Sequence, residues 1–297
     1  MADTPGAARL WADEPEAGGW RRYLVADVFT ATPLEGNQLG VFPDGRGLDD
    51  DLMQRTAREL NLSETVFFLP PARHGDVRVR IFTKAGELPF AGHPVLGSAF
   101  VLGQVMGAAQ VVLETGAGPV PVELERDGDR IAFGRMEQPI PAPEPYEHAA
   151  DLLAALGVRR SGLPVEAYRN GPRHVYVELG SEAEVAALRP DHRALTGMEI
   201  CVSTFAGRGP AWKTRMFAPF YGVPEDPATG SAAGPLAVHL ARHGRIGFGD
   251  EIEIRQGEEI ARPSRLYARV EGSADRIERV LVGGSAVIVA RGEYRLG

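Results

Sequence analysis

The chain has little cysteine, no basic cluster and no long apolar run. Its single cysteine, Cys201, excludes an intramolecular disulfide and fits a reducing cytosol. A net charge of -8 without a basic patch argues against nucleic acid as a partner. No apolar stretch is long enough to span a bilayer, so no membrane role is expected. Residues 1–20 show neither a basic n-region nor an apolar h-region, so no secretory signal is expected. Glycine-rich loops are present, but no Gly-Lys-Ser/Thr follows them and no G-x-G-x-x-G opens a helix, so phosphate-loop and dinucleotide readings fall. H-E-x-x-H is also missing, because Leu240 follows His239. His239 and His243 stand four apart on a helix, yet no third ligand lies near them in sequence, and no metal is expected. His243, next to Gly244, reads as a C-terminal helix residue favoured by the dipole. Cys201, with no histidine or basic neighbour, reads as core.

The 297 residues are 44% hydrophobic and 24% charged, which is ordinary for a soluble globular protein and enough for two domains. Residues 1–20, rich in Ala, Gly, Pro, Asp and Glu, are expected to be a disordered extension.

Two stretches share one plan. In the first, Val77, Val79 and Ile81 alternate with Arg78, Arg80 and Phe82 as a strand. The pattern breaks at Gly86 and Pro89, presents Ala91-Gly92-His93-Pro94, and continues as an apolar helix over Val95 to Gln104. Pro94 suits a first helical position. In the second, a strand over Thr214 to Phe217 leads to a loop, then Thr229-Gly230, then an apolar helix over 232–243. The recurrence predicts a duplicated half-chain with each helix central to its half. Free N–H groups at such helix starts make anion sites.

Around these stretches, Asp49 to Leu60 reads as a helix capped by Asp49, and Glu64 then stands at the mouth of the apolar strand Thr65 to Leu69. Gln138 to Pro145, with four prolines, reads as an extended linker. Ser181-x-x-Glu184 is a capping box. Arg279 to Ala290 reads as one final strand, expected to return to the first domain. Strands outnumber helices without regular alternation, so the class is α+β. The expected domains are 21–137 plus about 284–297, and 138–283.

Glu64, between Leu62 and Val66, is either a proton carrier made usable by apolar surroundings or a strand-end residue facing solvent. His93, at a helix N-terminus, is either a neutral hydrogen-bonding group or a cap, since the dipole disfavours imidazolium. Asp226 and Ser231 are either site residues or helix caps.

The segments Asn61-Leu62-Ser63-Glu64, Glu87-Leu88-Pro89-Phe90-Ala91-Gly92-His93-Pro94 and Glu225-Asp226-Pro227-Ala228-Thr229-Gly230-Ser231-Ala232 resemble the signature segments of the PhzF family. Asn170 to Val177, Pro190 to Leu195 and Gly234 to Gly244 extend the resemblance, which runs from about Tyr23 to near the C-terminus. It implies a diaminopimelate-epimerase-like fold of two pseudo-symmetric barrel-like domains, each wrapped round a central helix. It implies catalytic roles for Glu64, His93 and Asp226, and substrate binding by Gly92, Gly230 and Ser231. Thiol epimerases of this fold use two cysteines; here those positions carry Ala91 and Thr229, so two-base thiol epimerisation is excluded.

The implied activity is a cytoplasmic, cofactor-independent isomerase of phenazine biosynthesis, acting on a small molecule and forming a homodimer. The reaction would convert trans-2,3-dihydro-3-hydroxyanthranilate to 6-amino-5-oxocyclohex-2-ene-1-carboxylate by proton shuttling on Glu64. Two alternatives stand beside it. One is a double-bond isomerase of this family acting on another small amino or enolisable acid. The other is a non-catalytic member binding a small acid or a protein.

Overall fold

The structure is a computed structural model that describes residue 10 and residues 19–297. The expected disordered extension lies outside the described residues, except for Leu10, Gly19 and Trp20. The chain forms two compact units, divided after Glu137 and after Val282, with Gly283–Gly297 belonging to the first.

In the first unit the elements are β1 (Trp20–Val28), β2 (Asn37–Phe42), α1 (Asp50–Leu60), β3 (Glu64–Leu69), β4 (Val77–Phe82), β5 (Glu87–Leu88), α2 (Gly92–Met106), β6 (Gln110–Thr115), β7 (Gly118–Asp127) and all but the last residue of β8 (Arg130–Gln138). The Asp49 side chain accepts from the Leu52 N–H at 2.8 Å, and Asn61 in the left-handed region ends α1. That stop places Glu64 at the first position of β3, which runs parallel to β2 with Leu39 opposite Glu64. Helix α2 is buried continuously from Gly92 to Gly103 and carries no charged residue there, as a helix enclosed on all sides must be. It begins earlier than the sequence pattern indicates. Ala91 is its N-cap, so Pro94 is the third helical residue and His93 lies inside the first turn.

The second unit contains β9 (Pro143–Pro145), α3 (Ala149–Leu156), β10 (Glu166–Arg169), β11 (Arg173–Glu178), α4 (Glu182–Ala187), α5 (His192–Thr196), β12 (Cys201–Arg208), β13 (Ala211–Ala218), β14 (Val223–Asp226), α6 (Gly230–Arg242), β15 (Glu251–Gln256), β16 (Ser264–Gly272) and most of β17 (Ile277–Gly284). β18 (Ala286–Arg295) belongs to the first unit, where it pairs antiparallel with β1 from Trp20↔Arg295 to Val28↔Ala286. The single final strand read from sequence is therefore two strands, interrupted at Ser285. The stretch read as a linker is partly sheet: its last three residues form β9, which pairs antiparallel with β10.

The duplication is visible in the pairing. β1–β2, β3–β4 and β6–β7 are antiparallel, whereas β2–β3 and β4–β6 are parallel, with α1 and α2 in the two crossovers. The second unit repeats this: β10–β11, β12–β13 and β15–β16 are antiparallel, and β11–β12 and β13–β15 are parallel. Its crossovers hold α4 with α5, and then α6. α6, like α2, is buried continuously, from Gly230 to Ala241.

Candidate active site

The first cluster forms where β2, β3 and α2 begin. Glu64 Oε2 lies 3.2 Å from His93 Nε2. His93 is 4% exposed, and burial pushes its imidazole down to about 3, against a weaker upward pull from the Gln38 backbone. The ring is therefore neutral at pH 7, as its place at a helix start led one to expect, and burial is the largest cause. Its Nδ1 is 3.3 Å from the Asn37 side-chain nitrogen, an amide that can only donate. Asn37 reaches this place because the preceding turn is sharp. Gly36 has φ +68, and a Cβ there would meet the Val28 carbonyl oxygen at 2.4 Å. Gly92 opens α2, and its N-cap, Ala91, has no side chain that can accept from the first-turn N–H groups.

The second cluster lies where β14 gives way to α6. Asp226 ends β14 and is 7% exposed; Ser231, the second residue of α6, is 6% exposed. Neither is the cap that sequence left open, because the N-cap of α6 is Thr229. That threonine makes no capping hydrogen bond. Its hydroxyl instead donates to Asp226 Oδ2 at 2.5 Å. The start of α6 is thus without a side-chain cap, as is that of α2, and both suit an anionic group. Glu225, next to Asp226, is engaged by a bidentate pair with buried Arg215, both contacts at 2.8 Å.

Pro235 lies inside α6, where it leaves the Ser231 carbonyl without its usual backbone donor. Asn170 supplies the missing bond, its Nδ2 donating to Ser231 O at 3.0 Å. Gln138 Nε2 donates to Gly230 O at 2.9 Å, and the Tyr176 hydroxyl to Ala232 O at 2.7 Å. Side chains from β8, from β11 and from the turn between β10 and β11 therefore hold the first turn that contains Gly230 and Ser231.

His239 and His243 do have a third partner in space. Glu166 on β10 joins them, one ligand atom from each lying within 4.8 Å of the others, which corrects the reading that no such residue is near. Yet Glu166 Oε2 already accepts from Arg242 and from the Tyr168 hydroxyl, each at 2.9 Å. The carboxylate's charge is matched by a guanidinium, and the cluster serves to anchor the end of α6 to β10. Burial would raise the Glu166 carboxyl, but hydrogen bonds from His243 and Tyr168 and the charge of Arg242 overcome it and hold the group at about 2. Its stabilising effect is complete above the usual carboxylate range and is lost as pH falls toward 2. Glu166→Ala is expected to cost about 2–3 kcal/mol at pH 7, below the fully buried case because Arg242 is partly exposed. Urea unfolding measures this; an unchanged midpoint would show that the cluster anchors nothing.

Sequence reasoning passed over Asn37, Gln256 and the Thr229 hydroxyl. Asn37 was legible only as part of a Gly-Asn turn, and Gln256 gave no signal at all. Glu64, His93 and Gly92 come together in the first unit, and Asp226, Gly230 and Ser231 in the second.

The family model described as "Phenazine biosynthesis-like protein" matches residues 26–292. A curated relative from Pseudomonas aeruginosa, trans-2,3-dihydro-3-hydroxyanthranilate isomerase, is 53% identical over 93% of this chain and 99% of its own. Among solved structures, a PhzF-family protein from Bacillus anthracis matches with a TM-score of 0.82 at 24% identity, covering 93% of this chain and 99% of the other. A hydroxyproline epimerase from Agrobacterium vitis matches with a TM-score of 0.63 at 13% identity, covering 93% of each chain. These two establish the α+β, diaminopimelate-epimerase-like fold. The chain belongs to the PhzC-PhzF family of phenazine biosynthesis-like proteins.

Proposed function

We propose that this protein is an isomerase converting trans-2,3-dihydro-3-hydroxyanthranilate to 6-amino-5-oxocyclohex-2-ene-1-carboxylate, with Glu64, His93 and Asp226 catalytic and Gly92, Gly230 and Ser231 binding substrate. The observation that carries the reading is Glu64 beside a neutral, buried His93, in a chain 53% identical to a relative of that activity. The Glu64 carboxylate removes the C3 proton. The electron pair spreads through the diene as double bonds form at C3–C4 and C5–C6, and Glu64 returns the proton at C1. The C3 enol then becomes the ketone by taking a proton at C4 and releasing the hydroxyl proton. His93 and Asp226 hydrogen-bond the polar ring substituents, and the helix-start amides receive the substrate carboxylate and developing charge. No step requires a metal or organic cofactor.

Purified protein should abolish the ultraviolet absorbance of the substrate's conjugated diene. Substrate deuterated at C3 should carry part of its label to C1 of early-trapped product in ordinary water, because one carboxyl both removes and redelivers. An unchanged spectrum would overturn the activity, and turnover without any transferred label would overturn the single-base path.

The proposal includes a cytoplasmic homodimer. The single buried cysteine is consistent with a reducing compartment, and no helix among the described residues is long and apolar enough to cross a membrane. Light scattering is expected to give twice the chain mass of 31.9 kDa; a mass of one chain at working concentration would refute the dimer.

A further inference from the structure

Gln256 is the last residue of β15, is 3% exposed, and lies 30 positions from Asp226. Its amide has all four hydrogen-bonding positions occupied. Nε2 donates to the Asp226 backbone carbonyl at 2.8 Å and to Thr229 Oγ1 at 3.0 Å. Oε1 accepts from the Thr229 backbone N–H and the Thr214 hydroxyl, both at 3.3 Å. Turning the amide over would set Oε1 against the Asp226 carbonyl oxygen and leave the Thr229 N–H facing a donor, so these contacts fix its orientation. The adjoining void, lined by Thr214, Thr229 and Gln256, is small, about 10 Å³. The loop can approach because Gly257 has φ +80, and a Cβ there would meet the Pro227 carbonyl oxygen at 2.6 Å.

The bond to Thr229 Oγ1 has a directional consequence. A threonine hydroxyl that accepts from Gln256 turns its own proton elsewhere, and here that proton is directed at Asp226 Oδ2, 2.5 Å away. The same engagement keeps the hydroxyl from capping α6, the ordinary use of threonine at an N-cap. We propose that Gln256 is a positioning residue of the second cluster. It acts through the Thr229 hydroxyl, aiming Asp226 and leaving the first-turn amides of α6 open to an anionic group. This rests on the isomerase reading above.

The test is a double-mutant cycle on the diene assay with Gln256→Met and Thr229→Val, alongside Thr229→Ser. Each of the first two is expected to lower kcat/KM about tenfold to a hundredfold, the range for loss of orientation at a reacting group. Because both cut the same link, the double variant should be no more than about twofold worse than the poorer single one. Thr229→Ser, which keeps the hydroxyl, should retain near wild-type activity. Gln256→Met keeping more than half of wild-type activity, or two effects that multiply, would overturn the proposal. If Gln256→Met fails to fold, Thr229→Val and Thr229→Ser decide: equal activity in the two would overturn it. Wild-type protein that leaves the diene untouched would overturn the isomerase reading and this role with it, whereas an active wild type with insensitive variants would overturn this role alone.

Discussion

Glu64→Gln is expected to reduce turnover by several powers of ten while leaving the fold and ligand binding intact. A positioned general acid or base supplies about 10²–10⁴ on its own, and here one group serves both the removal and the return of the proton. The amide keeps the size of the carboxyl and can still hydrogen-bond, so little packing is lost. It has no basic oxygen to take the C3 proton. The neighbouring His93 is a poor substitute, because burial holds its ring neutral and makes it a weak base with a value near 3. Single-turnover kinetics on the diene separate binding from chemistry. More than a tenth of wild-type turnover in this variant would remove Glu64 from the role.

Asp226→Ala is expected to lower kcat/KM by about 10²–10³, with both kcat and KM affected. The side chain supplies orientation, so its loss weakens the bound complex and misaligns the reacting carbon. It also leaves the Thr229 hydroxyl proton without its acceptor at Asp226 Oδ2. Steady-state kinetics at several substrate concentrations give both parameters. If both stayed at wild-type values, Asp226 would be a structural strand-end residue and the second cluster would need another polar group. His93→Ala should show the same double effect to a smaller degree.

Local pattern was enough for the elements that depend on neighbours along the chain. The helix capped by Asp49 runs to Leu60 and the apolar run of β3 follows it at once, so Glu64 at a strand mouth could be read directly. The two apolar helix segments, the second carrying Arg242 only at its end, announced helices enclosed on every side, and the repeated strand–loop–glycine–helix order announced the duplication. The resemblance to the PhzF family implies that Ala91 and Thr229 stand where thiol epimerases of this fold carry cysteines, and neither side chain can act as a thiolate base.

Sheet register and crossover geometry decided the rest, because they join residues that no short window contains. Asn37 meets His93 across 56 positions, Gln256 meets Thr229 across 27, and Glu166 meets His239 across 73. Helix boundaries shifted for the same reason. By local rules Pro235 argues against a helix beginning at Gly230, since its ring leaves the Ser231 carbonyl unbonded. Asn170, brought from the turn between β10 and β11, supplies that bond, so the helix starts at Gly230 despite the proline.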